Sequence, residues 1–376
     1  MRIPGRYESM DGLRGLAAFI VVIFHFFAVY LPDLIPNERP GTLWVAYSPL
    51  AVLYNGRFYV WVFFVLSGFV VSNSAAKRKF PVVVNLVTRY LRLGLPVLAS
   101  TLFAWLLLRM FPDTVHQMML AGPHAFLTMS YNHNEPSFLA AVWHGLFGVF
   151  KTGLSLFNNP LWTMRIELIG SFGIYLIYGL TNGRLRLAVL ILLGVALLFV
   201  HQNYLGFVFG ALLRESIVAD RLDRRWGWPA LLIGALIGGE MLGWSDQGWL
   251  PVPSGLRHGE SISIVLTTGA FLIVYATITL RWLGAFLEST VPRFIGKISF
   301  GLYLVHTPLL FTVFGQMYLA HVPLPVLLIS FLATSVGLGY LFTLLIDGPT
   351  LHLIKYAQEK YGGLTNRTGM LEPTVQ

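Results

Sequence analysis

The sequence predicts an all-α fold, a polytopic integral membrane helix bundle of about ten transmembrane helices with both termini in the cytoplasm. Three observations predict it. First, 56% of the 376 residues are hydrophobic and 11% charged, whereas a soluble domain draws on about 25% charged residues to cover its surface. Second, apolar runs near the roughly 20 residues needed to cross a bilayer recur along the whole chain. Third, Lys and Arg are unevenly shared between the two sides. With the N-terminus inside, 17 of the 26 fall in inner segments, five fall outside and four lie within spans, the bias expected of cytoplasmic loops.

The runs fall at 12–31, 58–74, 86–110, 160–180, 185–201, 203–218, 229–243, 261–280, 298–318 and 324–346. The first is followed by no small-residue cleavage site, so it is expected to remain as a helix. The run 138–150 is too short to cross and reads as re-entrant or interfacial. Two outer loops are long, 32–57 and 111–159, and the second carries His116, His124, His133 and His144. These histidines lack a regular ligand spacing, so no metal is assigned. Residues 1–356 form one membrane domain in this reading, with 357–376 a disordered cytoplasmic tail. No internal repeat is evident.

Cysteine is absent, which excludes disulfides, thiolate nucleophiles and a thioester carried on the protein. The net charge of +9 sits in short loops between apolar runs. It reflects membrane orientation, and nucleic acid is not an expected partner.

An ionisable group inside a span costs roughly 2.5–3.5 kcal/mol on insertion scales, so each asks for a partner or a purpose. Asp11, Arg14, His25, Arg89, Arg92, Arg165, Glu167 and His306 are such groups. Arg14 and His25 are eleven positions apart on the first helix. At about 100° per residue that spacing leaves them about 20° out of line and roughly 16 Å apart along the axis, a polar stripe on one face. Arg89 and Arg92 share a face and can grip phosphates or snorkel to lipid headgroups. Glu167 can hold a histidine in one tautomer or pair with a buried arginine. Tyr303 and His306 share a face of the ninth span, where Pro308 should loosen the helix. Arg165 points elsewhere and receives no role.

Six segments then fall into a known order. Ser9-Met10-Asp11-Gly12-Leu13-Arg14-Gly15-Leu16-Ala17-Ala18 through His25 resembles the opening Arg-x10-His helix of the acyltransferase-3 family of membrane proteins. Phe63-Phe64-Val65-Leu66-Ser67-Gly68-Phe69 resembles its second-helix signature, and Arg89-x-x-Arg92-Leu93 with Pro96 its third-helix motif. Asn159-Pro160-Leu161-Trp162-Thr163-Met164-Arg165-Ile166-Glu167 is similar to its Leu-Trp-Thr…Glu element. The stretch from Ile295 through Gly296, Lys297, Ser299 and Tyr303 to His306 and Pro308 is similar to its Gly-x-Ile-Ser-Tyr…Tyr-Leu-x-His-x-Pro segment, with Phe300 where Tyr is common. Asp347-Gly348-Pro349 stands where an acidic-x-Pro element closes the last helix, with Asp in place of the usual Glu.

The resemblance implies an O-acyltransferase of the bacterial inner membrane. It would move an acyl group, most often acetyl from acetyl-CoA, to a hydroxyl of a carbohydrate or lipid-linked glycan. It makes His25 and Glu167 the catalytic pair, with Glu167 orienting the His25 ring. Arg14, Arg89 and Arg92 bind the donor, and Ser67, Trp162, Tyr303 and His306 support substrate or transition state. The expected geometry is one polar slot in which an inner cationic grip meets the His25 imidazole. A proton-coupled transporter or flippase is the rival reading of the same buried charges. Matching pairs of Gly/Pro-interrupted helices, which would favour it, are not seen in the two halves.

Overall fold

A computed structural model of the chain describes residues 8–35, 43–77, 79–121, 137–240, 253 and 261–367. His124 and His133, the termini and parts of the long loops lie outside them. The protein is all-α, 86% helical, without strands among the described residues. The helices that matter for the site are α1 (Glu8–Tyr30), α2 (Gly56–Ala75), α3 (Val82–Met110), α4 (Phe138–Thr152), α5 (Trp162–Leu180), α6 (Gly183–Leu197), α7 (Leu205–Val218), α8 (Gly227–Gly239), α9 (Ile262–Thr279), α10 (Thr290–Phe311), α11 (Leu324–Phe342) and α12 (Gly348–Arg367). The lower end of the bundle is defined here as the end where α1, α3 and α10 begin.

Each of the ten expected runs coincides with a helix, but length separates them. Six helices among the described residues are long and apolar enough to cross a membrane: α1, α2, α3, α9, α10 with its extension to Leu319, and α11 running on into α12. The expected span at 160–180 is built by α5, which has 19 residues but is not among those six. The expected spans at 185–201, 203–218 and 229–243 are built by α6, α7 and α8, of 15, 14 and 13 residues. At about 1.5 Å per residue these rise only ~20–22 Å, against a hydrocarbon core of about 30 Å. The last helix also runs to Arg367, so the tail boundary expected at 356 falls inside a helix.

Helix α10 is the axle of the bundle. Its apolar window is 89% buried, whereas that of α11 is 17% buried, as expected for an outer helix facing lipid. Glycines let α1 lie directly on α10. A Cβ on Gly296 would stand 2.1 Å from the Asp11 carbonyl oxygen, and one on Gly15 would stand 2.4 Å from the Gly296 nitrogen. Without a hydrophobic drive between helices in lipid, such small-residue contacts supply the van der Waals gain. They fix the neighbouring Arg14 and Lys297 relative to each other.

The segment before α5 folds as a hairpin. Phe138 stacks edge-on against Trp105, Gly145 packs on Leu98, and the Tyr90 hydroxyl donates to the Leu146 carbonyl at 2.5 Å. Successive turns of α4 therefore descend alongside α3 toward its lower end. Gly153 turns the chain at φ +73°, a conformation glycine adopts without strain. The chain then climbs back to Asn158, level with Ser100. Lys151, expected on the outer side, thus stands near the lower end in a surface groove with Tyr90, Trp143 and Phe150.

A proline anchors this hairpin. Pro308 lies inside α10 and, lacking an N–H, leaves the carbonyl of Leu304 without its helical donor. Ser100 Oγ and Asn158 Nδ2 each donate to that carbonyl at 2.8 Å. The residue expected to loosen α10 instead creates the acceptor that holds the hairpin in the bundle.

Candidate functional site

A cavity of about 300 Å³ opens between α1, α2, α3, α5, α10 and the turn before α12. Four cations line it, Arg14, Arg89, Arg92 and Lys297, against two carboxylates, Glu167 and Asp347. The lining therefore carries a surplus of two positive charges. Apolar walls come from Val60, Phe63, Phe64 and Phe300, and hydroxyls from Ser67, Thr163, Ser299 and Tyr303.

Three of the arginines are held before any ligand arrives. Arg89 on α3 donates from Nη2 to a carboxylate oxygen of Glu167 on α5, and from Nε to Ser171 Oγ at 2.9 Å. Arg92, one turn higher, meets Asp347 through both terminal nitrogens, the Nη2–Oδ2 contact being 3.2 Å. Its guanidinium also lies 5.2 Å from the centre of the Phe300 ring. Asp347 ends a π-helical turn, Thr343–Asp347, between α11 and α12; such wide turns re-aim side chains and recur at functional sites. Arg14 contacts Asp11 at 3.4 Å. The side chains of Arg89, Glu167, Arg92 and Asp347 are 18%, 12%, 26% and 8% exposed. These pairs are desolvated enough to fix geometry, yet still open on the cavity side.

The upper wall is made by Tyr303. Its hydroxyl donates to the Pro160 carbonyl at 2.7 Å and lies 2.9 Å from Thr163 Oγ1, which donates to the same carbonyl. The return limb of the hairpin and the first turn of α5 are thereby tied to α10. Beyond Tyr303, with ring centres 5.9 Å apart, lies His306, which is fully buried. Its Nε2 is 2.9 Å from Nδ1 of half-buried His25 on α1.

The expected residues thus separate into two groups. Arg14, Arg89, Arg92, Ser67, Glu167 and Tyr303 line one cavity. His25 and His306 sit together on the far side of Tyr303 rather than in its lining. The expectation that Glu167 orients His25 is corrected: the Glu167 carboxylate is engaged by Arg89, and His306 is the partner at His25 Nδ1. The cause is depth. Glu167 faces Arg89 well down α3, while His25 is level with Gly56, where α2 begins at the opposite end. Trp162 is 37% exposed and does not line the cavity. Sequence reasoning assigned no role to Lys297, Asp347, Ser171 or Asn158. The first two lay inside quoted motifs, and motif membership was their only signal.

Comparison with known proteins agrees with these motifs. The family model of the acyltransferase-3 type, described as an acyltransferase domain, matches residues 7–344. No curated protein and no solved structure matches the chain.

Proposed function

Since the chain belongs to the acyltransferase-3 family and is a multi-pass membrane acyltransferase, we propose that it moves an acetyl group from cytoplasmic acetyl-CoA to a hydroxyl of a carbohydrate or lipid-linked glycan at the bacterial inner membrane. The observation that carries this reading is the cavity whose lining holds four cations against two carboxylates, with Arg14 in contact with Asp11 outside the lining. A CoA thioester brings phosphates, which bind guanidinium forks well, and a narrow arm that suits an apolar-walled passage. A volume near 300 Å³ is at the lower end of ligand pockets, roughly 300–1,000 Å³. It suits the pantetheine arm and thioester, with the nucleotide left at the lower mouth.

In this reading the lower end faces the cytoplasm and the acceptor approaches His25 from the other side. The acyl end passes Tyr303, whose ring divides the donor cavity from the histidines. His25 takes the proton of the acceptor hydroxyl as its oxygen attacks the thioester carbonyl. The carbon–sulfur bond then breaks, CoA leaves as the thiolate, and the His25 imidazolium returns the proton to it. Hydroxyls on the cavity wall, Ser67 among them, are suited to hold the donor arm below Tyr303. Glu167 holds Arg89 for the donor and does not act on the imidazole.

The test is purified protein in liposomes with radiolabelled acetyl-CoA and a panel of simple glycosides. Label on a glycoside hydroxyl, or slow thioester hydrolysis with CoA release, is expected. Movement of glycoside into the lumen with no CoA release from any donor would favour the carrier and overturn the reading.

A further inference from the structure

We infer that His306 is a positioning residue that locks His25 into the tautomer whose Nε2 is unprotonated. The inference rests on the reading of His25 as the general base and adds the element that makes its ring basic on the correct side.

The argument begins at a carbonyl. His306 Nδ1 lies 3.1 Å from the carbonyl oxygen of Leu302, one turn earlier on α10. A carbonyl oxygen only accepts, so Nδ1 carries the hydrogen. A neutral imidazole has one N–H, which leaves His306 Nε2 as an acceptor. Two groups face that nitrogen: His25 Nδ1 at 2.9 Å and Thr307 Oγ1 at 3.0 Å. For the contact with His25 to be a hydrogen bond, His25 Nδ1 must donate. A neutral His25 ring has only one hydrogen to give. With that hydrogen on Nδ1, Nε2 is left unprotonated on a ring that is only partly buried.

The arrangement does what a carboxylate does in a hydrolase triad, but without a formal charge. When His25 takes a proton at Nε2, its Nδ1–H becomes a cationic donor and the bond to His306 becomes charge-assisted and stronger. The stabilisation therefore grows as the reaction proceeds. Burial keeps His306 fixed, since its ring is wholly inaccessible and bonded at both nitrogens. The ring planes are inclined by 32° with centres 5.0 Å apart, an edge-to-edge bond rather than a stack.

The experiment is ¹⁵N NMR of protein labelled at its ten histidines, with His25 and His306 assigned from the spectra of His25→Gln and His306→Gln. The expected wild-type spectrum has His25 protonated at Nδ1 and unprotonated at Nε2. In His306→Leu that preference is lost and both tautomers appear. In turnover, His306→Leu lowers kcat roughly 100-fold with KM for acetyl-CoA little changed. His306→Gln, whose Oε1 can replace Nε2 as acceptor, recovers at least about tenfold of this. A wild-type His25 protonated at Nε2 overturns the inference without any variant having to fold. So does a His25 tautomer unchanged in His306→Leu. The spectra are independent of turnover. If no donor is turned over but the tautomer is as expected, the pairing stands and the proposed activity fails.

Discussion

The cationic cavity and the histidine pair lie within one aromatic side chain of each other, yet they differ in their electrostatics. In the cavity, Arg89 and Arg92 are bound to Glu167 and Asp347 while Arg14 and Lys297 add the surplus charge. Above Tyr303, two imidazoles share a hydrogen bond, with no carboxylate on the His306 ring among the described residues. In the proposed function one region needs charge that a phosphate can find. The other needs a lone pair, which a nearby carboxylate would help but a neutral acceptor also provides. The comparison teaches that a buried Glu in a motif next to a candidate catalytic His need not serve it. Depth along the helix decides, and here it assigns Glu167 to the arginines.

The sharpest way to break this comparison is at His25. His25→Ala is expected to remove transfer, a loss on the order of 10²–10⁴-fold, while melting behaviour and acetyl-CoA affinity stay near wild type. Retained transfer would show that the histidine pair is not the chemical half of the site. The next largest effect is on stability at the lower end. Glu167→Ala leaves Arg89 desolvated without its carboxylate and should cost about 3–5 kcal/mol, read as a lower melting temperature. Unchanged stability would mean that the Arg89–Glu167 pair is not the organising contact. A smaller effect is expected for Arg92→Ala, a roughly tenfold rise in KM for acetyl-CoA with kcat retained. A fall in kcat alone would move Arg92 from the donor grip to the chemistry. An effect of similar size is expected away from both halves. Asn158→Ala removes donors to the Leu304 carbonyl and Ser100 and should destabilise by about 1–3 kcal/mol, checked by thermal unfolding in detergent.

The helices were legible in the sequence because apolar runs of bilayer length admit few other solutions, and each expected run is a helix. Their status as crossings was less legible. Hydropathy does not show that α6, α7 and α8 stop at 15, 14 and 13 residues. That 138–150 is too short to cross could be read from its length, but its descent beside α3 to Tyr90 could not, because it depends on contacts such as Phe138 with Trp105. In the site, the shared face of Arg89 and Arg92 followed from helical spacing, and both reach one cavity. Their partners did not follow. Arg92 and Asp347 are 255 positions apart, and only the packing of α3 against the turn before α12 brings them together. The same holds for His25 and His306, 281 positions apart, whose alignment comes from the glycine contacts between α1 and α10.

The central claim is a division of labour, with the donor held below Tyr303 and the proton moved above it. Isothermal titration of acetyl-CoA into wild-type, His25→Ala and the double variant Arg89→Ala/Arg92→Ala, paired with single-turnover transfer by each, tests it directly. The account predicts that His25→Ala binds donor like wild type and transfers nothing, while the arginine variant binds at least about tenfold more weakly. Donor binding lost in His25→Ala but kept in the arginine variant would contradict it.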